Sequence, residues 1–128
     1  MFSCGTKKNV NINALYEVLT QQTSGGASIQ FYEILSEEKE ISMLMNDENL
    51  KNKINKGDTQ KSNFVILNMG EKTSGGYKIK IENVEETASN IVVTVKQITP
   101  KANDMTSSVL TNPYTVLKIN SKKEIIFK

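Results

Sequence analysis

The 128-residue sequence contains no histidine, no tryptophan and one cysteine, and all 16 of its basic residues are lysine. Without His, the Ser-His-Asp and Cys-His nucleophiles, the HExxH helix of metalloproteases and any His-containing zinc site are excluded. Without Arg there is no arginine finger and no planar, bidentate clamp on phosphate or carboxylate. A lone Cys forms neither an internal disulfide nor a CxxC pair. Aromatic residues are scarce at 6%, and 16 Lys against 14 acids leave a net charge of only +2, too weak a field to imply nucleic acid. The longest apolar run, Phe64-Val65-Ile66-Leu67, is far too short for a membrane span. These absences point away from an enzyme and from metal or cofactor chemistry. They leave one domain, long enough to bury roughly two thirds of its unfolded surface.

The N-terminus carries a signal of another kind. Met1-Phe2-Ser3-Cys4-Gly5 leads into the polar stretch Thr6-Lys7-Lys8-Asn9-Val10-Asn11-Ile12-Asn13. A small residue before a cysteine, then a hydrophilic tether, resembles the end of a bacterial lipoprotein signal whose apolar region lies upstream. The expectation is therefore lipidation at Cys4, a flexible tether over residues 1–14 and a single globular domain over 15–128. Such a protein sits in the bacterial cell envelope, held to the membrane by its lipid alone, periplasmic or surface-exposed.

Within the domain, residues 15–20 read as a first strand, followed by a turn-rich stretch over 21–26. Residues 28–35 are rich in β-formers and predict a second strand. The period then changes. Ser36 is a suitable cap for a helix with Glu37, Glu38 and Glu40 in its first turn and Ile41, Leu44 and Met45 at helical spacing. Asp47 opens a shorter helical segment through Leu50 and Ile54, ended by Gly57, so the helices are expected within about 37–55. Residues 58–63 are polar and read as a loop.

From there the pattern is strand-like. Residues 64–69 are nearly continuously apolar, as in a central strand covered on both faces. Tyr77, Ile79 and Ile81 alternate with Lys78 and Lys80, and Glu85-Glu86 reads as a turn. Residues 91–98 alternate again, 99–108 form a loop around Pro100, and 114–119 with 124–127 read as a closing hairpin. The expected class is α+β: a mainly antiparallel β-sheet or small sandwich with one or two short helices.

The densest local signal is Gly70-Glu71-Lys72-Thr73-Ser74-Gly75-Gly76-Tyr77. Paired glycines between two strands permit positive φ and exposed N–H groups, which suits either a structural hairpin turn or a recognition loop. It is not a P-loop, because no GK[ST] follows and the next segment alternates like a strand. Thr-Ser-Gly-Gly also occurs at 23–26, but nothing after the tetrapeptide matches, which favours two independent turns over a duplicated hairpin. The other candidates read as structure. Cys4 has no histidine to activate it. The three Glu at 37, 38 and 40 suit a helix dipole better than an acid pair or calcium loop. Met43, Leu44 and Met45 read as core filling, and Lys78 and Lys80 as a solvated face or the rim of a partner surface.

Residues from about 62 to 120 resemble the C-terminal domain of the protease complex subunit PrcB family. That family shows a loop of the form G-E-K-P-T-G-G-Y between strands, then a Pro-containing loop and a V-[LI]-T-x-P-Y segment. This chain has Gly70-Glu71-Lys72, Thr73-Ser74 where Pro-Thr is usual, Gly75-Gly76-Tyr77, Pro100, and Val109-Leu110-Thr111-Asn112-Pro113-Tyr114. Losing the loop proline removes a residue that would fix φ there. The resemblance implies a non-catalytic envelope protein, often a lipoprotein, that associates with a secreted or surface protease. Partner-binding loops are then expected at Gly70 to Tyr77 and at Asn112, Pro113 and Tyr114, with no cofactor. A second reading rests on the faint likeness of Ser74-Gly75-Gly76-Tyr77 to the N-P-T-T-G-Y loop of small immunoglobulin-like protease inhibitors. That loop would enter a protease cleft.

Overall fold

The apolar run that begins at Phe64 forms the centre of the fold. In the computed structural model, which describes residues 15–101 and 105–128, it becomes a strand paired on both sides and covered on both faces. The described elements are, in order, β1 (Tyr16–Gln22), β2 (Phe31–Leu35), α1 (Glu38–Leu44), α2 (Asp58–Lys61), β3 (Asn63–Asn68), β4 (Lys78–Glu86), β5 (Asn90–Ile98), β6 (Tyr114–Ile119) and β7 (Glu124–Phe127). Along β3 the side chains alternate between two cores. Val65 and Leu67, with Met69 just beyond, join a cluster shared with Ile79, Ile91, Val93 and Ile125 of the other sheet. Phe64 and Ile66 turn the opposite way, toward Leu35, Ile41, Leu50 and Ile54. The apolar run is therefore continuous because each face of the strand has its own core.

The first sheet is antiparallel throughout, in the order β1-β6-β3-β2; the second has the order β4-β5-β7, with β7 parallel to β5. The two sheets pack face to face, and the helices and turns of residues 38–61 cover the other face of the first sheet. A β-rich, two-sheet architecture with two short helices thus stands where a sheet or small sandwich was expected. The closing hairpin does not form. β6 is flanked by β1 and β3, so residues 120–123 instead carry the chain across to the second sheet, where β7 extends β5. Lys122 secures this crossing: its Nζ donates to the carbonyls of Ser36 at 2.7 Å, Ser62 at 3.0 Å and Thr59 at 3.2 Å.

The helical region also departs from expectation. Glu37, not Ser36, is the N-cap of α1, because Glu40 Oε1 accepts the N–H groups of both Ser36 and Glu37 at 3.1 Å. Residues 47–53 make a succession of turns rather than a second helix, started by Asp47 Oδ1 accepting the N–H of Asn49 at 2.7 Å. The second helix is α2, in the stretch that reads as a loop. Its Asp58 accepts the N–H of Asn55 at 2.8 Å and pairs with Lys118 at 3.1 Å, tying the turn to β6. Met43 is 69% exposed and fills no core, whereas Leu44 and Met45 do pack against the helix-side cluster.

β4 runs on through Glu86, so Glu85-Glu86 is strand rather than turn, and Glu86 pairs with Lys123 at 2.7 Å. The register shifts between Ile81 and Asn83, a bulge at Glu82 that returns Val84 to the core face beside Ile79 and Ile81. A similar shift in β1 falls at Leu19, which packs in the helix-side core. Between the sheets, the fully buried Thr115 of β6 donates its hydroxyl to the Ile79 carbonyl of β4. Thr115→Val keeps the volume but leaves that carbonyl unpaired, and it is expected to lower stability by about 1–3 kcal/mol. Urea unfolding would show this as a lower midpoint with unchanged slope.

Candidate binding surface

Strand register fixes which loops meet. Gln22 and Asn68 both pair with Tyr114, and Phe31 pairs with Asn68, so the first sheet ends there and releases the loops 23–30 and 69–77 beside the segment 105–113. The segment from Thr111 to Pro113 runs between the other two loops and bonds to each in turn. Thr111 exchanges backbone bonds with Lys72, at 2.8 and 2.9 Å, and its hydroxyl donates to the Ser74 carbonyl at 2.9 Å. Asn112 faces the opposite way, donating to the Thr23 carbonyl at 3.1 Å and accepting from the Gly26 N–H at 3.0 Å. Both Thr-Ser-Gly-Gly turns therefore grip one strap from its two sides, a role that sequence similarity between two turns does not reveal.

The rest of the junction is equally well tied. Pro113 accepts the Met69 N–H at 3.0 Å, Ser28 accepts the Glu71 N–H at 3.1 Å, and Asn68 Oδ1 accepts the Ala27 N–H at 2.9 Å. In the glycine loop, the Gly75 N–H donates to the Ser107 carbonyl at 3.0 Å. Gly76 takes φ +92°, and a Cβ there would lie 2.9 Å from Pro100 Cβ and 3.0 Å from Thr106 Cγ2. Only glycine meets both demands. Without the family's proline, the loop is held by these contacts instead. Lys72 Nζ sits 5.4 Å from the centre of the Tyr77 ring, a cation–π contact at the loop's exit.

The structure brings the two motif segments together but divides their roles. Gly70, Pro113 and Tyr114 are buried, so they support the surface rather than present it. Glu71, Thr73 and Gly76 are exposed; Lys72, Ser74, Gly75, Tyr77 and Asn112 are half-buried. Sequence reading missed the most protruding apolar side chains of this end: Ile29 at 71% exposure, Leu110 at 63%, Val109 at 55% and the fully exposed Met105. The signal was present in Val109-Leu110, two large aliphatics in a polar loop just before a buried strand. Such side chains, borne on loops bonded to a rigid sandwich, suit binding of another protein. Among the described residues no cluster of His, Cys, Asp and Glu could hold a metal, and no helix is long and apolar enough to cross a membrane. Cys4 and the 1–14 segment lie outside the described residues.

A β-rich, two-sheet domain with one end built from interlocked loops is the class these observations define. Residues 63–120 match the family model described as PrcB C-terminal, so this stretch of the chain is similar to that family's domain. The matched stretch runs from the first residue of β3 to just past β6, so it holds the glycine loop and the strap; the 23–30 turn and β7 lie outside it. The chain is also 43% identical over 57 residues to an uncharacterized protein of Methanocaldococcus jannaschii. That alignment covers 44% of this chain and 34% of the relative, so the chain spans about a third of the curated relative it matches. No solved structure matches it.

Proposed function

We propose that this chain is a non-catalytic, protein-binding domain of a lipid-anchored cell-envelope protein, and that its partner is a component of a protease complex. The observation that carries the reading is the loop end itself: exposed Val109 and Leu110 immediately before the strap that is bonded to the glycine loop, within the stretch that matches PrcB C-terminal. Apolar side chains borne next to a segment fixed before encounter lose less entropy on binding than those of a free loop, which suits a docking surface. The inhibitor reading needs a free, projecting tip. Gly75 and Gly76 are instead tied against Ser107, Pro100 and Thr106, which supports docking over insertion into a cleft.

Leu110→Asp and Val109→Asp are expected to change stability by no more than about 0.5 kcal/mol, since both side chains are already exposed. In pull-downs from the native membrane in mild detergent, the same variants should lose a protein partner that the unaltered chain retains. Equal recovery of the partner with both variants would sink the docking surface. The anchor has its own check: intact mass of the native protein should show a diacylglycerol on Cys4.

A further inference from the structure

We propose that the outer edge of β2 is a strand-addition site for an extended segment of a protein partner, one that sets a basic residue between two β-branched or aromatic ones. The site uses none of the residues of the loop-end reading and stands apart from it.

The ladder identifies the free groups. The Met69 N–H continues the β3–β6 ladder to Pro113, so the odd-numbered residues of β3 bond to β6 and the even-numbered ones to β2. Phe31, Glu33 and Leu35 lie opposite Asn68, Ile66 and Phe64 and take those bonds. The N–H and C=O groups of Tyr32 and Ile34 therefore point away from the sheet, and no described strand lies against them. One residue on, the edge is closed: the Ser36 N–H is taken by Glu40 and its carbonyl by Lys122.

Other edges of the molecule are blunted. β1 and β4 carry bulges, and β7 has four residues. β2 has no bulge, proline or lysine, and it exposes Phe31 and Ile34 at 42% and 38%. A depression flanks it on each face. The one of about 350 Å³ between β2 and α1 is lined by Glu33, Leu35, Glu40, Met43, Leu44 and Ile66. The one of about 460 Å³ between β2 and β7 includes Ile34, Asn63 and Ile125, with Lys122, Lys123 and Glu124 also in its lining. Alternate side chains of an added strand would enter the two in turn, which is how strand addition acquires specificity.

Charge selects the occupant. The Glu33 carboxylate makes no ion pair or hydrogen bond among the described residues, and it shares its depression with Glu40 over an apolar floor. A lysine or arginine opposite Glu33 lays its methylenes on Leu44 and Met43 and its charge beside two carboxylates. A second copy of this chain fits worse. The symmetric antiparallel register that uses all four free groups sets Glu33 against its twin, a like-charge pair at close range.

The test titrates the 15N-labelled full chain with acetyl-Thr-Val-Lys-Val-Thr-amide and its Glu-centred counterpart. The Lys peptide should bind saturably below about 1 mM, shifting the Tyr32 and Ile34 amides and slowing their exchange. Glu33→Lys should weaken it roughly tenfold and admit the Glu peptide in its place. Ile34→Pro should weaken it similarly, because it deletes an outward N–H without touching the β3 ladder; should that variant misfold, the charge swap alone decides. Leu110→Asp should leave the peptide's affinity unchanged. No saturable binding, shifts confined to the 69–77 and 105–113 loops, indifference to Glu33→Lys, or a concentration-dependent dimer protected at β2 would each overturn the proposal.

Discussion

Replacing Phe64 by alanine is expected to lower the free energy of unfolding by about 3–5 kcal/mol, among the largest effects available to one substitution here. Phe64 is the largest of the fully buried side chains and lies in the core beneath the helices, with Leu19, Leu35, Ile41, Leu50, Ile54, Tyr114 and Val116. Two of these neighbours, Leu50 and Ile54, belong to the irregular stretch between α1 and α2. That stretch is a run of short turns rather than regular helix, so its order depends in good part on the apolar contacts it makes with β3. Removing the ring leaves a cavity that a paired central strand has little freedom to collapse into. Thermal unfolding should move down on the order of 10–20 °C. Hydrogen exchange should localise the damage, with amides over residues 38–61 losing protection before those of β4 and β5. A loss under about 1 kcal/mol would mean that the helical layer is held by something other than this ring.

How far the fold was legible in the sequence follows from which interactions are local. Alternation at Ile79 and Ile81, and again at Ile91, Val93 and Val95, is written in consecutive residues, and so is the double-sided burial of β3. The bulge at Glu82 breaks that alternation within a strand, which is why β4 reads as ending at Ile81 with Glu85-Glu86 as a turn. The partners of β6 and β7 depend on β1 and β5, distant in sequence, so two adjacent strands read as a hairpin although each joins a different sheet. α2 is a single polar turn that Asp58 ties to Lys118 of β6, a contact distant in sequence. The candidate site divides the same way. Glycines at 75 and 76 mark a special loop from sequence alone. That Thr111 and Asn112 are gripped by two turns some fifty residues apart in sequence, and that Pro113 and Tyr114 end up buried, requires the register of β1, β3 and β6.

Two glycine-to-alanine substitutions are expected to move stability in opposite directions, and together they test whether the loop junction is as rigid as a docking surface needs. At Gly57 the backbone is helical, φ −69° and ψ −16°, and nothing lies within 4 Å of the position a Cβ would take. Gly57→Ala should therefore raise stability by about 0.4–1 kcal/mol, by removing conformations from the unfolded chain alone. At Gly26 a Cβ would fall 2.8 Å from the Asn112 carbonyl oxygen, 2.9 Å from Asn68 Oδ1 and 2.9 Å from Tyr114 Cβ. None of these belongs to a flexible chain end: one is backbone, one already accepts the Ala27 N–H, and one sits at the start of a paired strand. The methyl group must displace the strap or the turn, breaking the bond from the Gly26 N–H to Asn112. Overpacking together with a lost, half-buried hydrogen bond sets the expected cost at about 2–4 kcal/mol. The functional consequence separates this from ordinary destabilisation. At temperatures where Gly26→Ala is still fully folded by far-ultraviolet circular dichroism, it should already recover less of the native partner, because Asn112 holds the strap that presents Val109 and Leu110. A Gly26→Ala protein as stable as Gly57→Ala, or one that captures the partner undiminished, would mean that the three loops move independently and that the apolar strap is not held in advance of binding.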